Sequence, residues 1–286
     1  MISKTIFVDS EINFIQQLRL IHGLSESEFT IGVRAQDENK LKLLQKQFGM
    51  PYKIVEEGDI MMSNFTEVHH KHKVSTSVGS IQRTLVFPHS IVDYCKSIWP
   101  QQREYRYTFA GLITKNRGTI IKNWVAKNID GKVSSLPNAD SFWYKVRKKI
   151  FLMLDKDDST YKKVGDLVIW SSTRGRKYPE KAWDDNYFRF MANSQFVLCP
   201  SGNSIWSYRF FEAILCGAIP IIEESCPEYE GFRYYKMSDD ARKFKWSQEN
   251  AEYNYKVCLD RITIDIKELN QELQLILSKE IAAKPA

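Results

Sequence analysis

The residue types best suited to binding an anion follow one apolar run in the second half of the sequence. Residues 196–199 have the character of a strand buried on both faces, the polar turn 200–204 follows them, and residues 205–216 have helical spacing. A turn that leads into a helix presents backbone N–H groups to an anion. The pattern therefore predicts a site for an anion.

This turn lies inside a strand–loop–helix–strand unit. The helical pattern ends at Cys216, and Gly217 suits the next position because glycine adopts a left-handed conformation without steric cost. Residues 218–222 form a second apolar run, and Glu223 and Glu224 leave its carboxyl end. Parallel strands joined by a helix form a right-handed crossover. We therefore predict that the turn lies at the carboxyl edge of a parallel sheet.

Two other predicted strands of the second half also end in polar or basic loops. Residues 105–113 precede the loop 114–118, which leads into a helix at 119–127, and residues 167–170 precede the loop 171–177. In open α/β sheets, ligands bind beyond the carboxyl ends of the strands. We expect the three loops to meet at one anion site; for the 114–118 loop, a solvated turn is an equally good interpretation.

The first hundred residues predict a small parallel sheet in β-α-β-α-β order. The successive strands and helices are predicted at 5–8, 10–22, 29–33, 37–48 and 52–55. Ser10 is the predicted cap of the first helix. A further strand at 85–87 is predicted to lead into a helix at 91–99, and the polar residues 100–103 mark a domain boundary.

The last segment, residues 259–281, has apolar residues at helical spacing along one stripe. These residues are Ile262, Ile266, Leu269, Leu273 and Ile276. A free coiled coil would need more heptads. We therefore predict one terminal helix that docks on the rest of the protein.

Composition sets broad limits on compartment and partner. The chain has 286 residues and a formal charge of +6, which suits a phosphorylated or polyanionic ligand. Five cysteines without a C-x-x-C pair favour a reducing compartment. The N-terminus does not resemble a signal peptide, and the longest apolar run, 214–222, is too short to span a membrane. We expect a cytoplasmic protein.

The run His69-His70-Lys71-His72-Lys73 is the one histidine cluster. It lacks the helical i, i+4 spacing with a carboxylate that a metal site on a helix would show. We interpret it as a solvated basic loop.

Residues 196–222 resemble the donor-binding signature of exostosin-type (family 47-like) glycosyltransferases. That signature is a strand, Pro-x-Gly, a Ser-x-Arg-Phe-x-Glu-Ala helix and Gly-x-x-Pro-Val-Ile. The matching positions are Pro200, Gly202, Ser207, Arg209, Phe210, Glu212, Ala213, Gly217, Pro220, Ile221 and Ile222. Residues 105–117 are similar, more weakly, to the strand and basic turn that open the same domain in that family.

The resemblance implies an α/β protein of the GT-B class, in which two Rossmann-like domains face each other across a cleft. Residues 1–100 would form the acceptor-side domain and residues 101–258 the nucleotide-sugar domain. Residues 259–286 would form a C-terminal helix that packs back on the N-terminal domain. The implied reaction transfers a sugar from a nucleotide-sugar donor to a hydroxyl of a glycan or other acceptor, with no cofactor and no metal.

The resemblance and the strand-end loops together nominate the donor-binding residues. They are Lys115, Arg117, Ser172, Arg174, Gly202, Asn203, Ser204, Ser207, Arg209 and Glu212. Arg209 would bind the diphosphate, or alternatively pair with Glu212 on the same helix face. Glu212 would accept hydrogen bonds from the ribose hydroxyls.

The resemblance also has implications for the stereochemistry of the reaction and for the catalytic base. Many retaining GT-B enzymes have two glutamates eight positions apart, and Ser204 stands where the first would be if Glu212 were the second. The serine at position 204 favours an inverting mechanism. Such a mechanism requires a general base that takes the proton of the acceptor hydroxyl. Our candidates are Asp9 and Glu11 after the first strand and His89 after the predicted strand at 85–87, with His69, His70 and His72 in reserve. Asp9 is preferred, although it is equally suited to capping a helix.

Two other classes of function fit parts of the sequence. A non-catalytic relative would keep the nucleotide-sugar pocket and lack the base. The basic clusters at 145–149, within a predicted helix at 141–154, and at 162–163 and 174–177 raise the possibility of nucleic-acid binding. No nucleic-acid-binding motif accompanies them, so we expect no nucleic-acid partner. The same clusters suit peripheral contact with an anionic membrane.

Overall fold

The computed structural model describes residues 4–70, 73–129, 136–154, 159–171, 183–202 and 204–283. These residues belong to two compact units. The first unit contains the described residues up to Asp93, Trp183, and the described residues from Leu259 onward. The second unit contains the described residues from Tyr94 to Cys258 other than Trp183.

The first unit contains two sheets. Its parallel sheet is formed by β1 (Thr5–Phe7), β2 (Thr30–Val33), β3 (Tyr52–Ile54) and β4 (Ile60–Met61), in the order β3-β2-β1-β4. Helices α1 (Ile15–Leu24) and α2 (Glu38–Phe48) connect the first three strands. An antiparallel sheet contains β5 (Thr66–His70), β6 (Val74–Val78) and β7 (Ile81–Arg83). The predicted β-α-β-α-β order and parallel pairing are confirmed.

Helix α1 begins later than predicted, so the assignment of Ser10 as its cap is wrong. The residue at the cap position is Phe14, and no side chain caps the helix. The carboxylate of Asp9 accepts hydrogen bonds from the backbone N–H of Ser63, at 3.0 Å, and from the Ser63 hydroxyl. Asp9 therefore joins the ends of β1 and β4, and its alternative role as the cap of α1 is also wrong. Ile12 is completely buried, so packing fixes this segment against its local capping preference.

The predicted strand at 85–87 is absent. The backbone N–H of Phe87 donates to the carbonyl of Ile262 at 2.6 Å, and that of Thr84 donates to Arg261 at 3.1 Å. The segment is buried as expected, but its hydrogen bonds go to the end of a helix, α8 (Gln248–Ile262), and not to a sheet. Helix α3 (His89–Ser97) follows directly.

The C-terminal segment forms two helices where one was predicted. Helix α8 ends at Ile262 and α9 (Ile266–Ala283) begins after a break. Asp265 causes the new start, because its carboxylate accepts from the backbone N–H groups of Lys267 at 2.9 Å and Glu268 at 3.0 Å. Helix α9 lies on the first unit, where Leu269 and Leu273 are buried. The docked terminal helix is therefore confirmed in a shorter form.

The second unit contains a six-stranded sheet. Its strands are β8 (Tyr105–Ala110), β9 (Thr160–Val164), β10 (Leu167–Ser171), β11 (Ser194–Cys199), β12 (Ile219–Ile222) and β13 (Tyr235–Lys236). The order is β13-β12-β11-β8-β10-β9, and only β9 is antiparallel to its neighbour. The helices between these strands are α4 (Lys115–Asn128), α5 (Phe142–Met153), α6 (Asp185–Ala192) and α7 (Tyr208–Leu215). The mixed α/β class with parallel sheets is thereby established.

Alternation along the central strands builds the core of the second unit. Side chains two residues apart in a strand point to the same face. On one face they form a buried cluster with Ile121 and Trp124 of α4. The strand members of this cluster include Tyr107, Phe109, Phe196, Leu198, Ile219 and Ile221.

Helix α7 ends as the sequence predicted. Gly217 has φ of +72°, and its N–H donates to the carbonyl of Ile214 at 2.8 Å. This left-handed residue turns the chain directly into β12.

Within the described part of the chain, no helix combines the length and the apolar character that crossing a membrane requires.

The burial of His22 in α1 predicts a loss of stability in mild acid. Burial lowers the pKa of His22 from 6.5 to about 4. Between these pH values the unfolded chain binds more protons than the folded chain, so the free energy of unfolding falls as the pH falls. From pH 7 to pH 5 we expect a loss of about 2 kcal/mol from this residue. Urea unfolding at several pH values measures it.

The variant His22→Gln should remove this part of the pH dependence, because glutamine does not titrate. The matched control is His69→Gln, since the His69 side chain is 65% exposed. Equal pH profiles for His22→Gln and the unsubstituted protein would contradict the assignment.

Candidate functional site

The best candidate site lies where the strand order of the second unit changes direction. After β8 the chain continues into β9 and β10, which lie on one side of β8. After β11 it continues into β12, which lies on the opposite side of the β8–β11 pair. Strands β8 and β11 are adjacent and parallel, so their carboxyl ends lie at the same edge of the sheet. Such a switch point leaves a crevice between the two points where the chain leaves the carboxyl ends of these strands, which we call the strand exits. Ligands of open α/β sheets bind in this crevice.

Arg209 reaches from one strand exit to the other. It lies in the first turn of α7, which follows β11, and its Nε donates to the carbonyl of Ala110 at the end of β8, at 2.7 Å. The guanidinium lies 4.6 Å from the centre of the Phe109 ring. Only 8% of the residue is exposed. The cation is therefore held inside the carboxyl edge of the sheet.

Gly111 provides the space for this guanidinium. Its φ is +132°, a conformation that side-chain-bearing residues rarely adopt. A Cβ at this position would lie 2.5 Å from Nη2 of Arg209. Both the backbone conformation and the close approach of Arg209 therefore require glycine after β8.

Arg117 makes the reciprocal crossing. It lies in the first turn of α4, which follows β8, and its Nε donates to the carbonyl of Ser201 after β11, at 3.3 Å. A Cβ at Gly202 would lie 2.6 Å from Nη2 of Arg117. We call Arg117 and Arg209 the crossed arginine pair, because each helix sends a guanidinium to the neighbouring strand's exit.

One nitrogen of Arg209 has no hydrogen-bond partner among the residues that the structure describes. Its Nη1 is buried and makes no hydrogen bond with the described protein atoms. A buried donor without an acceptor costs about 1–3 kcal/mol, and a bound anion would remove that cost with a charge-assisted hydrogen bond. The crevice thus has an unused donor on a cation that the fold holds in place.

The prediction of a loop at 114–118 is wrong, because Thr114 is the cap of α4 and residues 115–118 form its first turn. Thr114 caps the helix, its hydroxyl accepting from the N–H of Arg117 at 3.3 Å and its carbonyl from Gly118 at 2.9 Å. The carboxylate of Asp140 accepts from the N–H of Lys115 at 2.7 Å. Protein groups therefore satisfy three of the first four N–H groups of α4. Lys115 contributes an exposed side chain to this edge, not an open helix terminus.

Helix α7 also begins later than predicted, at Tyr208. Ser207 precedes it with an extended backbone, and its N–H donates to the hydroxyl of Tyr229 at 2.7 Å. The Ser207 hydroxyl oxygen is buried and makes no hydrogen bond with described atoms. The carbonyl of Ser204 accepts from the N–H of Gly202 at 3.1 Å, so Ser204 lies in the loop and not at the cap.

Glu212 lies one turn after Arg209 and is 7% exposed. The hydroxyl of Tyr187 donates to Oε2 of Glu212 at 2.8 Å. Burial and then the negative charge of Glu212 raise the pKa of Tyr187 well above its usual value, so the phenol stays protonated and keeps donating. Burial also raises the pKa of the neighbouring Cys199 thiol to about 12, which disfavours the thiolate form that a cysteine nucleophile needs.

Sequence reasoning missed several residues that shape this edge. They are Gly111, Asp140, Tyr187 and Tyr229, together with Glu223, whose carboxylate accepts from the N–H of Ser201 at 3.2 Å. Glu223 was detectable, because it follows the strand adjacent to β11. The other four act through contacts between segments far apart in the sequence. The predicted residues Ser172, Arg174 and Asn203 lie outside the described residues.

The candidate bases lie in the first unit. Asp9 binds Ser63 as described above, and Glu11 is exposed before α1. His89 was predicted to follow a strand, but it begins α3. There the carboxylate of Glu26 accepts from the backbone N–H of His89 at 2.7 Å. Its Nε2 lies 2.8 Å from the carbonyl of Ile264. A carbonyl only accepts, so Nε2 carries a proton in this contact, and in the neutral ring the lone pair lies on Nδ1.

The histidine run does not form the predicted loop where it is described. His69 and His70 end strand β5, and the His70 ring stacks on Phe14 with centroids 4.5 Å apart. Lys71 and His72 lie outside the described residues. No group of three metal-binding side chains is present among the residues that the structure describes.

Comparisons with known proteins identify the family of the chain. The family model described as "Exostosin GT47 domain" matches residues 45–229, well over half of the chain and including the crossed arginine pair. No curated protein sequence matches the chain.

Among solved structures, the chain is similar to one described as "Crystal structure of GtfA/B complex", with 11% identity and a TM-score of 0.33. The match covers 88% of this chain and 46% of that chain, so this protein spans less than half the length of its neighbour. A score of this size does not establish a shared fold.

The crossed arginine pair predicts unequal costs for two alanine substitutions. Gly111→Ala should destabilise the protein by about 2–4 kcal/mol, because the backbone conformation is strained for alanine and buried Arg209 cannot move away. Gly202→Ala should cost less than about 1 kcal/mol, since half-buried Arg117 can shift its guanidinium. Urea unfolding measures both, and each serves as the control for the other. Equal costs would contradict this geometry.

Proposed function

The chain belongs to the exostosin GT47 domain family of glycosyltransferases, and we propose that it transfers a sugar from a nucleotide-sugar donor to a hydroxyl of a glycan acceptor. The observation that carries the proposal is the buried Nη1 of Arg209 at the switch point of the second unit, which has no hydrogen-bond partner among the described residues. The donor of such a reaction has a phosphate group at the bond that breaks. The site therefore needs a fixed cation where this group lies.

The crossed arginine pair supplies the main chemistry of the proposed reaction. As the glycosidic bond of the donor breaks, negative charge accumulates on the leaving phosphate oxygens. Guanidinium groups that are already held in place stabilise this charge without reorganising. Arg209 would donate from Nη1, and Arg117 and exposed Lys115 would add positive charge at the rim. We propose that this arrangement replaces a metal ion.

Glu212 is the proposed contact of the ribose hydroxyls. Its carboxylate is nearly buried on the same helix as Arg209, and it already accepts from Tyr187. A carboxylate has further acceptor capacity for a hydroxyl pair. Ser207, whose hydroxyl is buried next to α7, is the proposed partner of a donor oxygen.

Two further elements of the proposal concern architecture and stereochemistry. GT-B enzymes are built from two parallel-sheet domains, and each unit of this chain contains a parallel sheet, which supports that class. Ser204 occupies the position of the first glutamate of retaining enzymes, which supports inversion. An inverting enzyme needs a base on the acceptor side, and Asp9, Glu11 and His89 are the candidates.

A nucleotide screen tests the donor site. We expect one of UDP, GDP, CMP or TDP to raise the melting temperature. At a hundred times its Kd, the nucleotide should raise the free energy of unfolding by about 2.7 kcal/mol. Arg209→Lys should weaken that nucleotide at least about tenfold, because lysine cannot place a donor at the Nη1 position while bonding Ala110. Arg242→Lys is the matched control, since its side chain is 84% exposed. The donor site is refuted if no nucleotide stabilises the protein or if Arg209→Lys binds normally.

One observation favours a second candidate function, a binding protein without catalysis. Two of the three candidate bases already have protein partners, since Asp9 binds Ser63 and His89 binds Ile264. Such a protein would bind the nucleotide and show no turnover with any acceptor.

Substitution of the candidate bases separates the two functions. In the enzyme, one of Asp9→Asn, Glu11→Gln and His89→Gln should lower kcat about 10²–10⁴-fold and leave nucleotide binding unchanged. The assay measures sugar transfer in the presence of a chelator, with product configuration followed by NMR. Glu57→Gln, at an exposed position of the same unit, is the control. Normal turnover in all three variants would rule out these residues as the base.

A further inference from the structure

Helix α5 differs from the other helices of the second unit in how little of it is covered. None of its described side chains is buried. Phe142, Trp143 and Met153 are 71%, 77% and 85% exposed. Single exposed apolar residues are common on protein surfaces, but a group of them on one helix marks an interaction site.

The exposed apolar residues and half-buried Val146 form one continuous stripe. Successive residues of an α-helix are rotated by about 100°. Phe142, Val146, Ile150 and Met153 recur at spacings of four, four and three, so they lie above one another. Trp143 lies beside them, and Leu154, directly after the helix, extends this edge. We call these six residues the α5 stripe.

Cations border the α5 stripe on both sides. At the same rotation per residue, Lys145 and Lys149 lie along one edge and Arg147 along the other, and all three are exposed. Lys148 is half-buried farther round the helix. Helix α5 contains no acidic residue.

We propose that the α5 stripe docks on the surface of an anionic lipid bilayer. An amphipathic helix of this kind lies in the plane of the interface with its apolar side chains in the headgroup and acyl boundary. The long lysine and arginine side chains reach the lipid phosphates from both edges. Trp143 suits this boundary because its ring is apolar and its N–H is polar.

The charge pattern favours a membrane over other occupants. A second copy of the helix docking on the first would bring Lys145, Arg147 and Lys149 against identical cations, which is unfavourable. Nucleic acid would match the charges but would leave the apolar stripe in water. An anionic bilayer satisfies both the charged and the apolar parts of the surface.

Docking would hold the donor site at the membrane. The residues that precede α5 are hydrogen-bonded to the exit of β8, since the N–H of Ala139 donates to the carbonyl of Ile113 at 2.8 Å. Asp140 binds the N–H of Lys115, as described above. The inference goes beyond the proposed reaction and does not rest on it, because its test measures binding alone.

Vesicle flotation of the full chain tests the proposal. We expect it to float with vesicles of phosphatidylcholine and phosphatidylglycerol, and much less with phosphatidylcholine alone. The variant Lys145→Gln/Arg147→Gln/Lys149→Gln should bind anionic vesicles about a hundredfold more weakly. The variant Phe142→Ser/Trp143→Ser/Ile150→Ser should lose at least about tenfold.

Matched substitutions at exposed sites elsewhere are the controls. Lys46→Gln/Lys122→Gln and Leu275→Ser should bind like the unsubstituted protein. All of these side chains are exposed, so melting temperatures should be unchanged. In addition, anionic vesicles should shift the tryptophan emission of the unsubstituted protein to shorter wavelength, and Trp143→Phe should reduce this shift while still floating.

Three results would overturn the proposal. The first is the absence of flotation with anionic vesicles. The second is equal binding by the α5 variants and the controls. The third is a dimer in solution that the apolar variant converts to a monomer, which would assign the α5 stripe to a second copy of the chain.

Discussion

The candidate site depends on the parallel pairing of β8 with β11. The register places Thr108 opposite Val197, so the two strands end at the same edge of the sheet. The helices that follow both strands begin at that edge, and each sends one arginine across to the other strand's exit. The two glycines at these exits leave room for the guanidiniums. A shift in register would separate each arginine from its carbonyl partner.

Burial of an arginine does not by itself indicate a ligand. Arg103 is as buried as Arg209, and burial lowers its pKa to about 10. Its Nη1 donates to three backbone carbonyls around the amino end of β11, and its guanidinium faces the rings of Trp99 and Trp246. Arg103 therefore closes the end of the sheet opposite to the crevice. What distinguishes Arg209 is its position at the carboxyl edge of a switch point, where ligands of open α/β sheets bind.

Much of the fold was predictable where local pattern and packing agree. The β-α-β-α-β start, the unit from β11 through Gly217 to β12, and the docked end of the chain all followed from apolar spacing. The errors lie where a distant group outweighs a local preference. Ser10 does not cap α1, because Asp9 binds Ser63 and Ile12 is buried. Residues 85–87 have strand character but bond to the end of α8.

The sequence by itself determined which residues are available to bind an anion, because the Pro-x-Gly turn and the arginine–glutamate spacing of α7 are local patterns. It did not determine that Arg209 crosses to Ala110, that Arg117 crosses to Ser201, or that Tyr187 holds Glu212. These contacts join segments that are up to a hundred residues apart, and only the order of strands in the sheet brings them together. Likewise, the basic and aromatic residues of α5 were visible in the sequence, but their exposure is a property of the tertiary structure, since it depends on which faces the rest of the chain covers.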